Sequence, residues 1–575
     1  MASKTKPKEH VQNINTASGL TKNDKEKADA LNTFFVSVFT KEDVDNLPDF
    51  QDRTDDILSE VLFTESDVKY RLSILKEDKS PGPDKIHPRI LKELSGELAL
   101  PLKLIFDKSL HEGKLPTEWK LAEVKPIFKK GDKHAPGNYR PVSLTSVVCK
   151  VMEGVIRDAL NTHLIDNKLI SDAQYGFTKG RSCTTQLLST MFDWMNNLDS
   201  SIPTDAIYLD LQKAFDTVPH ERLLLKLQRY GIRGNIWSWI KDFLNERLQY
   251  VKVGNSTSGT AQVTSGVPQG SVLGPTLFIY YINDMPDIID CLIKIFADDT
   301  KLYYAADTPE SVTKLQNNIN RLTNWANDWQ LKFNESKCKV LHLGKNNMNF
   351  NYTMNGTKLE QTKAEKDLGV IMDPLMSFET HVNETVKKAN RITGMIVGNI
   401  TCKKREIMVP LFKTLVRPVL EYGNAVWNNT LRKQINQIED VQRRFTKRIS
   451  GMQNIGYEER LKLLKLPSLE FRQTRGDLIE MYKLTHEIYD TKTIKSLFQL
   501  NTHSNTRGHP YKVIKRHTTT KKTSSFFANR IVNLWNNLSE DIVCSKSVNT
   551  FKNRLDKYFN STIYKTDLAL EIERS

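Results

Sequence analysis

Two adjacent carboxylates, Asp298 and Asp299, stand in the stretch CLIKIFADDTKLYYAA, residues 291–306. Apolar residues alternate with more polar ones before the pair, and the residues after it are aromatic and apolar. This pattern predicts a strand, a tight turn and a second strand. Two like charges at a hairpin tip repel each other unless a cation lies beside them. The pair is either half of a divalent-cation site or an ordinary turn, in which Asp is common.

A third carboxylate, Asp210, stands at the end of another predicted strand. In AIYLDLQKAFDTVPHERLLLKL, residues 206–227, a buried-strand pattern at 207–211 precedes leucines at helical spacing. A strand-end Asp beside a hairpin-tip pair is the arrangement that holds two divalent ions for phosphoryl transfer. Magnesium suits it because this ion prefers hard oxygen ligands and takes few from protein. The alternative role for Asp210 is a helix N-cap.

A glycine-rich segment, SGVPQGSVLGPTLFIYYINDM, lies between these carboxylates at residues 265–285. Its glycines allow backbone to approach a bound strand or base closely, and the spacing of Leu277, Phe278 and Ile282 predicts a buried helix after them. Taken alone, the segment also fits an ordinary loop that enters a buried helix. Its position between two acidic segments favours a shared site.

The remaining pattern indicates the elements that must position these residues. A Pro/Gly break at 78–88 predicts a loop, residues 89–112 and 142–165 have amphipathic helical spacing, and the sequence between them predicts a hairpin with a basic loop. Strands and helices alternate from 201 to 345, and the pattern is mostly helical and basic after about 380. The fold class expected is α+β, with a helical module and a basic tail.

The composition favours a polyanionic partner. Lys and Arg number 83 against 68 Asp and Glu, a net charge of +15, which suits nucleic acid or an anionic membrane face, although the excess is spread along the chain. The six cysteines lie far apart without CxxC pairing, which argues against a zinc site or a disulfide framework. No apolar run is long enough to span a bilayer, and the first residues lack the apolar core of a signal peptide, so an intracellular protein is expected.

These segments resemble motifs of a known family. FADD at 296–299, LDLQKAFD at 209–216 and SGVPQGSVLGPTLF at 265–278 are similar to motifs C, A and B of reverse transcriptases, specifically those of jockey-like non-LTR retrotransposons. WQLKFNESKCKVLHLG at 329–344 resembles motif D, and KDLGVIMD at 366–373 resembles the primer grip. Further similarity to the N-terminal extension, the fingers and the helical thumb extends over about residues 28–560.

The resemblance implies roles for single residues. Asp210, Asp298 and Asp299 would be the catalytic carboxylates and, with the Leu211 carbonyl, would hold two Mg²⁺ ions, with Mn²⁺ as a substitute. Phe215 would exclude a ribose 2′-hydroxyl, with a core Phe as the alternative. By the same resemblance, Lys125, Arg140 and Gln269 would bind the nucleotide. Lys337 would protonate the departing pyrophosphate. For the two lysines, the alternative is a solvated surface charge.

The fold implied is a right hand of fingers, palm and thumb, followed by a mostly helical basic C-terminal region. Basic residues of the thumb would follow a phosphate backbone, unless they form only a solvated helix face; they are Lys387, Lys388, Arg391, Arg443, Arg444 and Lys447. The expected domains are a flexible N-terminus (1–27), an N-terminal extension (28–108), fingers and palm (109–380), thumb and adjoining region (381–490), and basic C-terminal region (491–575).

The activity implied is RNA-templated extension of a DNA primer or target with dNTPs, in retrotransposition and thus in the nucleus or the cytoplasm. Family members carry an endonuclease domain before the polymerase, and no such domain is recognised here, so nicking is expected to come from elsewhere. Two other functions stay open at this point. One is an inactive or domesticated RNA-binding protein derived from such an element, and the other is an RNA-dependent RNA polymerase, which is expected to lack a bulky residue at position 215.

Overall fold

The structure is a computed structural model that describes residues 11–428, 431–490, 497–501 and 508–566. The chain folds into two compact units. The first contains the described residues up to Phe177 together with Asp210–Asp290 and Asn318–Asn334. The second contains Thr178–Leu209, Cys291–Asn317 and the described residues from Glu335 onward. Each unit is built from separate stretches of sequence.

Helices make up much of both units, and side chains cap several of them, as Ser182 does with the backbone N–H of Thr185. Numbered in chain order, they are α1 (Asp24–Ser37), α2 (Glu65–Ser73), α3 (Pro88–Glu93), α4 (Ser95–Glu112), α5 (Val147–Asp166), α6 (Cys183–Asp199), α7 (Ala214–Thr217), α8 (His220–Arg229), α9 (Gly234–Leu244), α10 (Gly274–Ile282), α11 (Pro309–Asp328), α12 (Glu379–Asn399), α13 (Arg405–Leu411), α14 (Arg417–Glu421), α15 (Asn424–Trp427), α16 (Arg432–Thr446), α17 (Tyr457–Leu464), α18 (Leu469–Thr485), α19 (Lys521–Ser524), α20 (Phe527–Arg530), α21 (Val532–Asn536), α22 (Glu540–Val543) and α23 (Val548–Phe559).

The strands are shorter and form several sheets. They are β1 (Asn15–Thr16), β2 (Gly19–Leu20), β3 (Leu121–Phe128), β4 (Tyr139–Leu144), β5 (Thr204–Leu209), β6 (Arg247–Val253), β7 (Ser256–Thr257), β8 (Ala261–Val263), β9 (Leu292–Phe296), β10 (Asp299–Ala305), β11 (Lys339–Leu343), β12 (Thr353–Met354), β13 (Thr357–Lys358), β14 (Glu360–Thr362), β15 (Glu365–Asp367) and β16 (Val370–Met372).

The main sheet of the second unit has the strand order β14-β11-β5-β10-β9. β10 is antiparallel to both β5 and β9, and β5 is antiparallel to β11. Central β5 is buried along almost its whole length, including the carboxylate of Asp205. His342 Nδ1 (2.6 Å) and the Tyr352 hydroxyl (2.8 Å) contact that carboxylate, so the buried acid has polar partners.

The main sheet of the first unit has the order β4-β3-β6-β7, with β8 also paired to β6. The β3–β4 hairpin is antiparallel, whereas β3 and β6 run parallel. Helix α1 covers this sheet: Leu31 and Phe35 of α1 belong to one apolar cluster with Val124 of β3 and Val251 of β6. Ile14 is fully buried in the same cluster.

The helical part of the second unit packs around a large apolar cluster that also includes the inner side chains of β5, β10 and β11. Trp194, Trp427 and Trp535 are among its largest buried side chains. A buried ion pair anchors the C-terminal helices there, since Arg530 Nε lies 2.9 Å from Asp477 Oδ2. The described C-terminal residues are thus packed into this unit by apolar burial and a satisfied charge pair.

Most of the local predictions are confirmed, including the 121–141 hairpin, the loop at 78–88 and the helix after the glycine-rich segment. The helix predicted over 142–165 begins later, at Val147, because residues 142–144 pair with β3 and Ser146 caps the helix. In the segment expected to be flexible, residues 15–20 form the β1–β2 hairpin. Parts of the two terminal domains, at 1–10, 491–496, 502–507 and 567–575, lie outside the described residues.

Candidate active site

The hairpin of β9 and β10 carries Asp298 and Asp299 at its tip, as the sequence predicts. Asp299 pairs with Phe296, so the turn consists of Ala297 and Asp298. Ala297 is buried and has a φ of 55°, a left-handed conformation that is costly for a residue other than glycine. Both carboxylates are exposed. The turn thus presents two adjacent acidic residues at one end of the sheet.

The same end of the sheet carries the strand that leads to Asp210. β5 pairs with β10 so that Leu209, its last residue, lies opposite Thr300. Asp210 follows Leu209 in the chain, and Asp299 precedes Thr300. Asp210 and Asp299 are therefore the direct chain neighbours of two residues that face each other in the sheet, Leu209 and Thr300.

In the first unit, the backbone at Asp210 is fixed by the segment that follows α11. Leu211 forms an antiparallel bridge with Phe333, and Asn334 N donates to the Asp210 carbonyl at 2.7 Å. In this bridge the Asp210 carbonyl accepts a backbone hydrogen bond. The carbonyl of Leu211, which is the expected metal ligand, accepts no hydrogen bond of the bridge. Asp210 itself is half-buried.

Phe215 lies on the short helix α7, directly after Asp210 and its loop. Its ring stacks on that of Phe278 of α10, with centroids 4.5 Å apart and an interplanar angle of 22°. Phe278 is fully buried, whereas Phe215 is half-buried. One face of the Phe215 ring is therefore supported by the core, which gives the ring a fixed orientation and leaves part of it accessible.

The glycine-rich loop is fastened between α7 and β4. Val267 N donates to the Phe215 carbonyl at 2.8 Å, and Ser143 N donates to the Gln269 carbonyl at 2.8 Å. Gly270 has a φ of 132°, and a Cβ at this position would lie 2.2 Å from the Ser143 carbonyl oxygen. Only glycine permits this backbone approach, so the loop that carries Gln269 is held against strand β4.

The side chain of Gln269 is oriented by Asp216. Gln269 Nε2 donates to Asp216 Oδ1 at 2.9 Å. Burial raises the pKa of Asp216 to about 6, while Lys213, the Gln269 hydrogen bond and Arg140 act in the opposite direction. This contact fastens the loop that carries Gln269 to α7.

Lys125 and Arg140 lie on the β3–β4 hairpin of the same unit. Lys125 is opposite Val142 and Arg140 is opposite Ile127, so the two basic side chains lie on one face as diagonal neighbours. Arg140 is exposed, and its charge acts on Asp216. Lys125 Nζ forms an ion pair with Glu123 Oε1 at 2.9 Å. The first unit therefore gathers Phe215, Gln269 and Arg140, while Lys125 is partly neutralised.

Lys337 is exposed and lies in a turn at 335–337, before β11, rather than at a helix end. β11 begins at Lys339, which pairs with Tyr208 of β5. Lys337 lies two residues before Lys339, and Asp210 lies two residues after Tyr208, the partner of Lys339. This register places Lys337 toward the sheet end at which the acidic residues stand.

Six basic residues expected to contact nucleic acid lie on or beside α12 and α16. Lys433 Nζ is 3.1 Å from Glu379 Oε1, and Gln437 donates to Asn383 at 3.4 Å. Each pair is separated by 54 residues, so the two helices run parallel. The segment 387–391 of α12 therefore lies at the level of 441–445 of α16, so the basic residues of the two helices are neighbours.

Five of these six residues are exposed: Lys387, Lys388, Arg391, Arg444 and Lys447. Among them, Lys387 is paired with Glu384 at 2.8 Å. Arg443 differs because it is half-buried; it forms an ion pair with Asp440 and lies 4.9 Å from the ring centroid of Tyr457. Arg443 therefore has an intramolecular role in addition to any contact with a ligand.

Sequence reasoning missed a buried lysine beside the carboxylates. Lys301, two residues after Asp299, is buried, and Asp367 Oδ2 lies 2.5 Å from its Nζ. A lone lysine in an otherwise apolar strand is the signal that could have identified it, because such a lysine needs a buried acid. Its partner, 66 residues away, had no signal in the sequence.

The chemistry of the donor set fits a divalent cation with few protein ligands. Within the described residues, no group of three or more His, Cys, Asp or Glu side chains forms a protein cage for a metal. Magnesium needs no such cage, because water and triphosphate oxygens complete its shell around one or two carboxylates.

The described helices also include none that is long and apolar enough to cross a membrane.

Comparison with known proteins identifies a domain in the chain. Residues 127–372 match the family described as Reverse transcriptase (RNA-dependent DNA polymerase). This range includes the acidic hairpin, β5 with Asp210, the glycine-rich loop and the β15–β16 hairpin.

The similarity to individual relatives covers more of the chain than this range does. RNA-directed DNA polymerase from mobile element jockey of Drosophila melanogaster is 30% identical over 426 residues, which are 70% of this chain and 46% of the relative. Probable RNA-directed DNA polymerase from transposon BS of the same organism is 27% identical over 465 residues, 75% of this chain and 50% of the relative. The chain thus spans about half the length of these curated relatives.

Proposed function

Because residues 127–372 form a reverse transcriptase domain and the chain is homologous to polymerases of non-LTR retrotransposons, we propose that it is an RNA-directed DNA polymerase. It joins a primer 3′-hydroxyl to the α-phosphate of a deoxynucleoside triphosphate on an RNA template and releases pyrophosphate. Its partners are the RNA template, a DNA primer or target DNA, and dNTPs, and its biological role is retrotransposition.

The observation that carries the proposal is the register of the sheet at its acidic end. Leu209 and Thr300 are opposed; Asp210 follows Leu209 in the chain, and Asp299 precedes Thr300. We propose that these two carboxylates and Asp298, with the Leu211 carbonyl, hold two Mg²⁺ ions. When bound, the ions would supply positive charge that activates the attacking oxygen and stabilises the negative charge on the departing one.

The other residues act by position and charge. Phe215, whose ring is supported by Phe278, excludes a 2′-hydroxyl from the sugar site because the two would overlap. Gln269, oriented by Asp216, contacts the incoming nucleotide and template. Arg140, and Lys125 when it leaves Glu123, donate to triphosphate oxygens, and the Lys337 ammonium gives a proton to the leaving pyrophosphate.

We further propose that β5, β9, β10 and β11 form the palm, β3 and β4 the fingers, and α12 with α16 the thumb. The five exposed basic residues of the two helices provide a sequence-independent contact to phosphates, since ammonium and guanidinium groups bind them without reading bases.

Primer extension tests this function. Purified full chain, an RNA template, an annealed DNA primer, dNTPs and magnesium are expected to give template-length cDNA, with no product when magnesium is chelated. Replacing dNTPs with NTPs is expected to give little product, which separates this activity from an RNA polymerase. A chain that binds the RNA with salt-sensitive affinity and never extends the primer would instead be the RNA-binding derivative of such an element.

A further inference from the structure

The first unit contains an open cleft of about 1050 Å³. Its walls are the segment 43–53, Arg222 of α8, the segment 284–290 and the C-terminal part of α11. We call it the acidic cleft. Its volume is in the range of sites that bind small molecules or a few side chains of a peptide.

The lining of the acidic cleft has a charge opposite to that of the chain. It contains six aspartates and three arginines, whereas the whole chain carries a net charge of +15. The aspartates are Asp43, Asp49, Asp284, Asp287, Asp290 and Asp328. A negative patch on a basic protein repels nucleic acid and attracts cations.

The arginines of the cleft are engaged within the protein. Arg222 is 3% exposed and donates to three backbone carbonyls, those of Asp43 (2.7 Å), Asn46 (2.8 Å) and Asp328 (2.9 Å). Arg53 is paired with Asp287 at 2.7 Å, and Arg321 with Asp290. A phosphate in the cleft would have to displace these partners.

The aspartates are less completely neutralised. Lys226 neutralises Asp284, and the two arginine pairs account for Asp287 and Asp290. Asp49 and Asp328 are exposed, and within the described residues neither forms an ion pair. The cleft therefore keeps carboxylates that can accept hydrogen bonds from an incoming cation.

The aromatic side chains of the cleft already bind a cation from within. Lys226 Nζ lies 3.6 Å from the ring centroid of Trp329, 4.9 Å from that of Trp325 and 5.4 Å from that of Phe50. Phe50, Trp325 and Trp329 also line the cleft. Rings combined with carboxylates are the groups that bind ammonium and guanidinium groups best.

We propose that the acidic cleft docks a lysine- or arginine-bearing peptide segment of a partner protein. The basic side chains bind the Asp49 and Asp328 carboxylates, and their aliphatic stems lie on the half-buried ring of Phe50. This interaction does not depend on polymerase activity, because none of the residues assigned to that activity lines the cleft.

A binding assay tests the proposal. The probe is a fluorescein-labelled peptide that alternates arginine, lysine and serine, and fluorescence anisotropy is measured with nuclease-treated full chain. Wild type is expected to bind it, and Asp49→Asn/Asp328→Asn to bind it at least about tenfold more weakly. The matched control is Glu97→Gln/Glu118→Gln, which removes two exposed carboxylates of the same unit outside the cleft and is expected to bind as wild type does.

A second variant adds a positive charge to the cleft without removing a carboxylate. Asn324→Lys places an ammonium at an exposed position of the cleft lining and is expected to abolish peptide binding while primer extension continues. The proposal is wrong if wild type does not bind the basic peptide, or if all variants bind it equally. It is also wrong if Asn324→Lys leaves peptide affinity unchanged and instead strengthens binding of a short RNA, because the cleft would then be a nucleic-acid surface.

Discussion

Lys301 and Asp367 form a buried ion pair, with Nζ and Oδ2 2.5 Å apart and side chains 3% and 6% exposed. The hydroxyl of Tyr208 also donates to Asp367 Oδ2, at 3.4 Å. Because Lys301 lies on β10, Tyr208 on β5 and Asp367 on β15, one carboxylate links the acidic hairpin to the hairpin that resembles a primer grip. Burial lowers the pKa of Lys301, and Asp367 opposes that shift.

This relationship predicts that Lys301→Met impairs primer use. The variant leaves the Asp367 carboxylate buried without its cation, at a cost of about 3–5 kcal/mol in folding free energy. The hairpin of β15 and β16 is expected to shift, so the KM for primer rises more than the KM for dNTP. Steady-state extension kinetics measure both. Lys301→Met/Asp367→Leu should recover thermal stability without recovering primer KM, and equal rises in the two KM values would contradict a positioning role.

Phe215→Val is expected to admit ribonucleotides. The smaller side chain removes the ring that overlaps a 2′-hydroxyl, so the preference for dNTP over NTP should fall at least about tenfold. Ratios of kcat/KM for the two substrates measure the change. If Phe215 only fills the core against Phe278, the variant will lose thermal stability and keep its sugar preference.

The raised pKa of Asp216 predicts a pH dependence of nucleotide binding. The pKa is about 6 in the folded chain and 3.8 in the ordinary carboxyl, so between these values the folded state binds more protons. The contribution of Asp216 to the free energy of unfolding therefore falls as pH rises from about 4 to about 6. Above pH 6 the charged Asp216 orients Gln269, and below it the hydrogen bond weakens.

We expect the dNTP KM of wild type to rise as pH falls through about 6. Asp216→Asn, which is neutral throughout, should have a raised KM at pH 7.5, by about tenfold if a charge-assisted hydrogen bond is lost. The ratio of variant to wild-type KM cancels the titration of the nucleotide itself. A ratio that stays constant across pH 6 would show that Asp216 does not orient Gln269.

Lys226 is expected to be essential for stability in the first unit. Its ammonium is buried among aromatic rings and hydrogen-bonds the Tyr281 carbonyl at 2.5 Å and the Asp284 carboxylate. Lys226→Met leaves Asp284 without a cation, so unfolding free energy should fall by about 3–5 kcal/mol. Chemical denaturation measures this, and Lys226→Met/Asp284→Leu should recover most of the loss. An unchanged single variant would mean that the pair contributes nothing to folding.

Local pattern made part of this site predictable from sequence. The turn between β9 and β10, beside Asp299, and the strand that ends before Asp210 follow from the apolar pattern, and the helix after the glycine-rich loop follows from the spacing of Leu277 and Phe278. The contacts that connect these segments were not predictable. Gln269 and Asp216 are 53 residues apart, and Lys226 and Asp284 are 58 apart, so no sequence period relates them. Pairing across such distances depends on tertiary packing.

The helix predicted from residue 142 shows a related limit. Its first residues have helical spacing, yet they pair with β3, because the hydrogen bonds of the β3–β4 hairpin override local preference. The acidic cleft could not be predicted either, since its walls come from four separate segments.

The most direct measurement of the central claim is primer extension by Asp298→Asn, which keeps the shape of the side chain and removes its charge. The matched control is Asp307→Asn, at an exposed aspartate of the same unit whose hydrogen bond from Ser311 an asparagine can accept. We expect Asp298→Asn to lose extension while RNA affinity and Asp307→Asn activity stay at wild-type levels, because RNA binding depends on basic residues. Undiminished extension by Asp298→Asn would contradict a catalytic site built on this hairpin.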